Sequence, residues 1–356
     1  MFRYKKDNIN NEIVSIGLMR GIASLMVCYF HLTNGDSDYL PTSSIIKKSG
    51  EWGWSGVEVF FIISGFVIPY SMFVKNYSFK NLGTFLKKRI VRIEPPYLVS
   101  IVMVLIMGYI SSRMPFYRGH PFHIDWWNVA GHVAYLNVFT GAKWLQDVYW
   151  TLAIEFQYYI LIAVVYGLLI SKNIYLRLLF FILFMASFWL RPFLPSSTYI
   201  FSFAPYFILG ILLFQYYCSI ISSIESWLLL LLTVGVLYSY DGPVLTSIAV
   251  ITIVLIAFVK KVHPVFIFLG AISYSLYLVH IPMGGRFISI AVRLLPASVH
   301  TKEALVFAAL GFCLLTAWVY YTLIEKRFKL LASKIGYTEK IVPAPVLNNA
   351  DLISKT

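Results

Sequence analysis

Long apolar runs separated by short polar segments set the pattern of this chain. A helix needs about 20 mostly apolar residues to cross a hydrocarbon core. The runs predict crossing helices at 13–32, 55–74, 97–112, 149–170, 174–190, 200–217, 226–240, 243–259, 265–283 and 303–324. The expected fold class is all-α, a polytopic membrane protein with about ten transmembrane helices. A further apolar stretch, Trp126 to Phe139, is short and contains His132 and Asn137. It predicts an interfacial or re-entrant helix on the outer side. The first run contains Arg20 and His31 and is followed by nine more, so it does not read as a cleavable signal peptide. No internal repeat suggests the inverted halves of a transporter. Residues 1–330 are expected to form one integral-membrane domain, and 331–356 a disordered tail.

Composition narrows the class further. Of 356 residues, 59% are hydrophobic and only 13% charged, which excludes an ordinary soluble domain, a disordered chain and a disulfide scaffold. Cys28, Cys218 and Cys313 all lie in apolar runs and read as core or membrane-facing thiols. The net charge of +13 needs no nucleic-acid partner, because the basic residues alternate with the predicted crossings. Segments on the side of the N-terminus carry 19 Lys and Arg, and those on the other side nine. By the positive-inside rule both termini are expected in the cytoplasm.

Ionisable side chains within apolar runs are costly in lipid, so each is a candidate for function. Arg20 and His31 are eleven residues apart in the first run. That spacing is three helical turns plus about 20°, which puts both on one face, roughly 16 Å apart along the axis. The alternative is an arginine snorkelling to the headgroups and a histidine at the interface. Glu58 lies in GVEVFFIISGF, among small residues suited to close helix packing, and a carboxylate there needs a cationic or hydrogen-bonding partner. Arg89 and Arg92, three apart, can present two guanidinium forks to a phosphate-rich ligand. Trp150 and Glu155 open the run WTLAIE, and Glu155 is expected near the depth of His31, where a carboxylate would orient the imidazole. Tyr277 and His280 end the run SYSLYLVH on the same outer side; His280 fits a span-ending interfacial residue as well as a site residue. No Cys/His cluster has metal-ligand spacing, so no metal is expected.

These pieces stand in a particular order: Arg20 with ten residues before His31, GVEVFFIISGF, Arg89 and Arg92 followed by Pro95, Pro96 and Tyr97, WTLAIE, SYSLYLVH, and Tyr321 to Glu325 as YxxxE. In that order the chain resembles the integral-membrane proteins of acyltransferase family 3 over roughly residues 13 to 330. The resemblance implies a ten-helix domain that takes an acyl group, most often acetyl, from cytoplasmic acyl-CoA as co-substrate. The acceptor it implies is a hydroxyl of a cell-surface polysaccharide, such as an exopolysaccharide or O-antigen, or of its lipid-linked precursor. It also implies a bacterial cytoplasmic (inner) membrane. By motif match His31 resembles the family's essential histidine, and Arg20, Arg89 and Arg92 its essential arginines.

Acyl transfer to an alcohol needs a base, oxyanion stabilisation and a held donor. His31 fits the base, with Glu155 as its orienting or acceptor-holding partner; an acyl-histidine intermediate is the alternative. Arg20, Arg89 and Arg92 fit the donor's phosphates. Glu58, Trp150, Tyr277 and His280 are the candidate acceptor-binding residues. Expected partners are the glycan acceptor and the lipid bilayer, with a homo-oligomer or polysaccharide-synthesis proteins compatible with the sequence. The rival classes are a flippase or transporter for a lipid-linked saccharide, with the same ionisable residues as its pathway, and a noncatalytic subunit of polysaccharide export.

Overall fold

The computed structural model describes residues 14–35, 39–115, 122–194, 198–295 and 298–337, and among them there is no β-strand. Most of the expected tail lies outside the described residues. The helices are α1 (Val14–Phe30), α2 (Ile45–Gly50), α3 (Gly56–Val74), α4 (Leu82–Ser112), α5 (Trp126–Val133), α6 (Asn137–Thr140) and α7 (Tyr149–Leu169). They continue as α8 (Ile174–Ser187), α9 (Ala204–Tyr217), α10 (Ser223–Phe258), α11 (Pro264–His280), α12 (Arg286–Leu294), α13 (Val299–Tyr320) and α14 (Lys326–Ser333). Helix is the form an apolar chain must take in lipid, because every backbone donor and acceptor is then satisfied within the segment.

Nine helical stretches among the described residues are long and apolar enough to cross a membrane. One of them, α10, has 36 residues and as a straight rod would measure about 54 Å, far more than a 30 Å core. Gly242 breaks it, with φ 79° and ψ 179°, just before Pro243. The two legs form a hairpin. Glu225, at one end, pairs with Arg177 near the start of α8 at 2.7 Å, and the Ile256 carbonyl, at the other, accepts from Ser15 at the start of α1. Since α1 and α8 both start on the same side, both legs end there. Asp241 at the opposite tip accepts from Tyr206 at 2.9 Å and meets Arg191 at 3.5 Å. Split at Gly242, the nine stretches become the ten expected crossings, and an even number returns the chain to its starting side. We call that side the basic end and the other the distal end.

Close approach of backbones holds the bundle where the site lies. A Cβ on Gly65 of α3 would fall 2.3 Å from the Phe207 carbonyl, and one on Gly210 of α9 2.1 Å from the Ile62 carbonyl. These small residues let α3 and α9 touch along their backbones.

Two expectations need correction. Helix α4 begins at Leu82 and not near Tyr97, so Arg89 and Arg92 stand on a rigid helix and not on a loop. Pro95 and Pro96 do not end it, since proline's φ is helical and only its amide donor is missing. Around the pair, Tyr274 donates to the Ile93 carbonyl at 2.9 Å and Tyr320 to that of Pro96 at 2.5 Å. The stretch Trp126 to Phe139 is not one helix. It forms α5 and α6 with Tyr135 between them at φ 56°, buried and stacked on Tyr97 at 5.4 Å. His132 in α5 is a structural residue: its Nδ1 donates to the Asn128 carbonyl and its Nε2 accepts from the Leu145 amide. Burial pushes its pKa down, which keeps it in the neutral form those two bonds require.

Candidate active site

The basic end holds a cavity between α1, α3, α4, α7 and α11. Arg20 of α1 and Arg89 and Arg92 of α4 line it together with Glu155 of α7 and Glu325 at the end of the last crossing. Three guanidinium groups therefore face two carboxylates. None of the three arginines makes an ion pair among the described residues. Arg89 donates to Ser71 at 2.9 Å and lies over the rings of Phe85 and Tyr159, while its Nε is buried without a hydrogen-bond partner. Glu155 accepts from Tyr159. Glu325 accepts from the Ser275 amide at 3.1 Å and hydroxyl at 2.5 Å, so its carboxylate is fixed by α11 and is not spent on an arginine. The cavity thus keeps an excess of donors and positive charge, the chemistry that holds phosphate.

Toward the distal end the cavity is roofed by Thr151 and Tyr277, whose hydroxyls are 2.7 Å apart. Phe60 packs edge-on against Tyr277 at 5.7 Å. One helical turn beyond Tyr277 lies His280, with ring centroids 6.0 Å apart, and His280 meets His31. The His280 Nε2 and His31 Nδ1 are 3.3 Å apart. Neither histidine lines the cavity.

Three π-helical turns occur among the described residues: His31–Gly35, Ile281–Gly285 and Tyr321–Glu325. The first begins at His31, the second follows His280, and the third ends at Glu325. Such turns concentrate at functional sites, because the wider turn re-aims a side chain at the cost of a regular bond.

The structure brings Arg20, Arg89, Arg92, Glu155 and Tyr277 to one cavity and His31 and His280 to one contact. It does not pair Glu155 with His31. Val148 and Tyr149 are buried where α7 begins, and Thr151 already meets Tyr277. Glu155 is a turn below Thr151, and Tyr277 a turn below His280, which puts the carboxylate about 10 Å beneath the histidines. Glu58 and Trp150 do not line the cavity either. On α3 the lining positions run from Val57 to Ile68 and leave out Glu58. It is buried with Oε2 unpartnered. Trp150 stacks on Phe203 at 5.6 Å. Glu325 escapes a reading by apolar runs because it ends a span beside Lys326 and Arg327; its place in the YxxxE string was the available signal. Among the described residues no group of three or more metal-ligating side chains converges.

No solved structure matches the chain significantly. The protein ORF330 of Acidianus two-tailed virus, assigned by its name to the acetyltransferases, is 27% identical over 304 residues, covering 75% of this chain and 82% of its own. The O-acetyltransferase OatA of Staphylococcus aureus (strain NCTC 8325 / PS 47) is 29% identical over 140 residues, 36% of this chain and 23% of OatA. This match spans less than a quarter of OatA. The profile of a family described as an acyltransferase domain matches residues 13–324. With that match over nearly all of the helical bundle, the chain belongs to acyltransferase family 3 and is a multi-pass membrane acyltransferase.

Proposed function

We propose that this protein moves an acyl group, acetyl first among candidates, from acyl-CoA to a hydroxyl of a cell-surface glycan or its lipid-linked precursor. The observation that carries this reading is the cavity at the basic end, where three arginines without ion pairs outnumber two carboxylates. That is where an anion-rich donor such as CoA is best held. The excess of Lys and Arg in segments on this side orients it toward the cytoplasm, where acyl-CoA is found. The membrane we assign is the bacterial cytoplasmic membrane. The names of ORF330 and OatA favour acetyl as the group, and that of OatA an oxygen acceptor.

In this reading the donor's phosphates sit on Arg20, Arg89 and Arg92, and its extended arm rises toward Tyr277. His31, roughly 16 Å above Arg20 along α1, takes the acceptor's hydroxyl proton. The alkoxide attacks the thioester carbonyl, the C–S bond breaks, and the leaving thiolate recovers the proton from His31. CoA itself need not cross the membrane. Glu155, beneath the roof and bonded to Tyr159, belongs to the donor side. A general base contributes about 10²- to 10⁴-fold, so most of the rate enhancement is assigned to positioning and base catalysis together.

Radiolabelled acetyl-CoA supplied to oriented membrane vesicles with a panel of glycans tests this. Inside-out vesicles should label a glycan when donor is added to the medium, and right-side-out vesicles should not. Absence of label in either orientation, with the protein present and folded, removes the acyl-CoA reading; label only in right-side-out vesicles reverses the assigned sides.

A further inference from the structure

His31 and His280 are 249 residues apart in sequence and meet at 3.3 Å, with ring centroids 5.0 Å apart. The protonation of the pair follows from hydrogen-bond chemistry. His280 Nδ1 lies 3.0 Å from the Leu276 carbonyl, and His31 Nδ1 lies 2.9 Å from that of Val27. A carbonyl oxygen only accepts, so both Nδ1 atoms carry hydrogen. The Nε2 of neutral His280 is then bare and can only accept, and the donor facing it is His31 Nδ1–H, shared with Val27. His31 is left with its proton on the inner nitrogen and its lone pair on Nε2, the arrangement a base needs.

We propose that His280 is the positioning residue of His31. This rests on the acyl-transfer reading above. When an acceptor O–H bond breaks and an N–H bond forms at His31 Nε2, the new positive charge is shared over the imidazolium. The Nδ1–H then becomes a stronger donor, and His280 Nε2 is the side-chain acceptor in place to receive it. His280 stays neutral throughout, because it is 1% exposed and its own proton is held by Leu276. The proton therefore remains on His31 until the thiolate leaves. This is the role the sequence suggested for Glu155. A π turn begins at His31 and another follows His280, so both rings stand where regular helix gives way, a feature common at functional sites. Packing supports the contact, since the Cys313 thiol reaches the His280 carbonyl at 3.6 Å and a Cβ on Gly284 would lie 2.8 Å from that sulfur.

The substitutions His280→Gln and His280→Phe separate a hydrogen-bond acceptor from a space filler. Gln offers an oxygen near the position of Nε2, whereas Phe fills the buried space and accepts nothing. With labelled acetyl-CoA and a glycan that the wild type acylates, His280→Phe should lose about 10- to 100-fold in kcat, the range for a bond to a charged group. KM for acetyl-CoA should be unchanged, because His280 does not line the donor cavity. His280→Gln should stay within about threefold of wild type by the same reckoning. A residue needed only for packing gives the reverse order, since a buried amide costs more than a ring. Equal activities, or Phe above Gln, overturn the proposal. Should His280→Phe fail to fold, His280→Met fills the space flexibly and is expected to lose as much as Phe. A wild type inactive with acetyl-CoA overturns the acyl-transfer reading and this inference with it; an active wild type with the reversed order overturns this inference alone.

Discussion

At the basic end Arg20, Arg89 and Arg92 face one cavity and make no ion pair among the described residues. At the distal end His31 and His280 face each other, and each carries its own backbone carbonyl as partner. The first region keeps spare donors, because its half-buried guanidinium groups make no ion pair among the described residues. The second is complete in itself and leaves one lone pair outward. Between them stand Thr151 and Tyr277, hydrogen-bonded across the roof of the cavity. In the proposed function the difference separates two tasks: one end would hold the donor by charge, while the other would hold a reactive nitrogen by local geometry.

The contrast breaks most visibly at His31. His31→Ala should lower transfer by about 10²- to 10⁴-fold with acyl-CoA binding and folding kept, because His31 lies outside the donor cavity. Transfer assays at matched protein level, with acyl-CoA affinity measured in parallel, check this. Near-normal transfer would end the role given to His31, and loss of donor binding would merge the two regions into one.

At the other end the expected effect is smaller and falls on a different constant. Arg89→Lys, Arg92→Lys and Arg20→Lys keep the charge that sets orientation but remove the guanidinium fork. Each should raise KM for acyl-CoA by about tenfold, the value of a charged hydrogen bond, with a smaller effect on kcat. If KM stays unchanged in all three, the phosphates bind elsewhere.

The smallest effect is expected at the roof. Tyr277→Phe and Thr151→Val each break the hydrogen bond across the roof, worth about 1 kcal/mol and so roughly a fivefold shift in an opening equilibrium. Acyl-CoA hydrolysis without acceptor should rise by that factor as water reaches the thioester. No rise in either variant would identify the roof as a fixed wall, and the acyl group would need another route to His31.

Much of this was legible in the residues. The ten crossings follow from apolar run length, which is a local property set by the thickness of a bilayer. Arg20 announces itself because charge within an apolar run is costly wherever the helix packs, and Arg89 and Arg92 by their spacing and their place before Pro95 and Pro96. Glu155 lies deeper than His31 because Thr151, a turn above it, already meets Tyr277, a turn below His280, and how two helices register against each other depends on their packing. That Glu58 and Trp150 lie outside the arginine cavity has a related reason. A helix shows its period in sequence but not which face its neighbours cover.

The sequence by itself determined the helical class, the number of crossings, the charge asymmetry between the two sides and the family, since each depends on composition, spacing or motif order along the chain. Only the tertiary structure decided that Glu325 is turned into the arginine cavity and held by Ser275, and that His280 and not Glu155 reaches His31. Those are contacts between segments distant in sequence, fixed by packing phase, π turns and depth of entry, which no local pattern encodes.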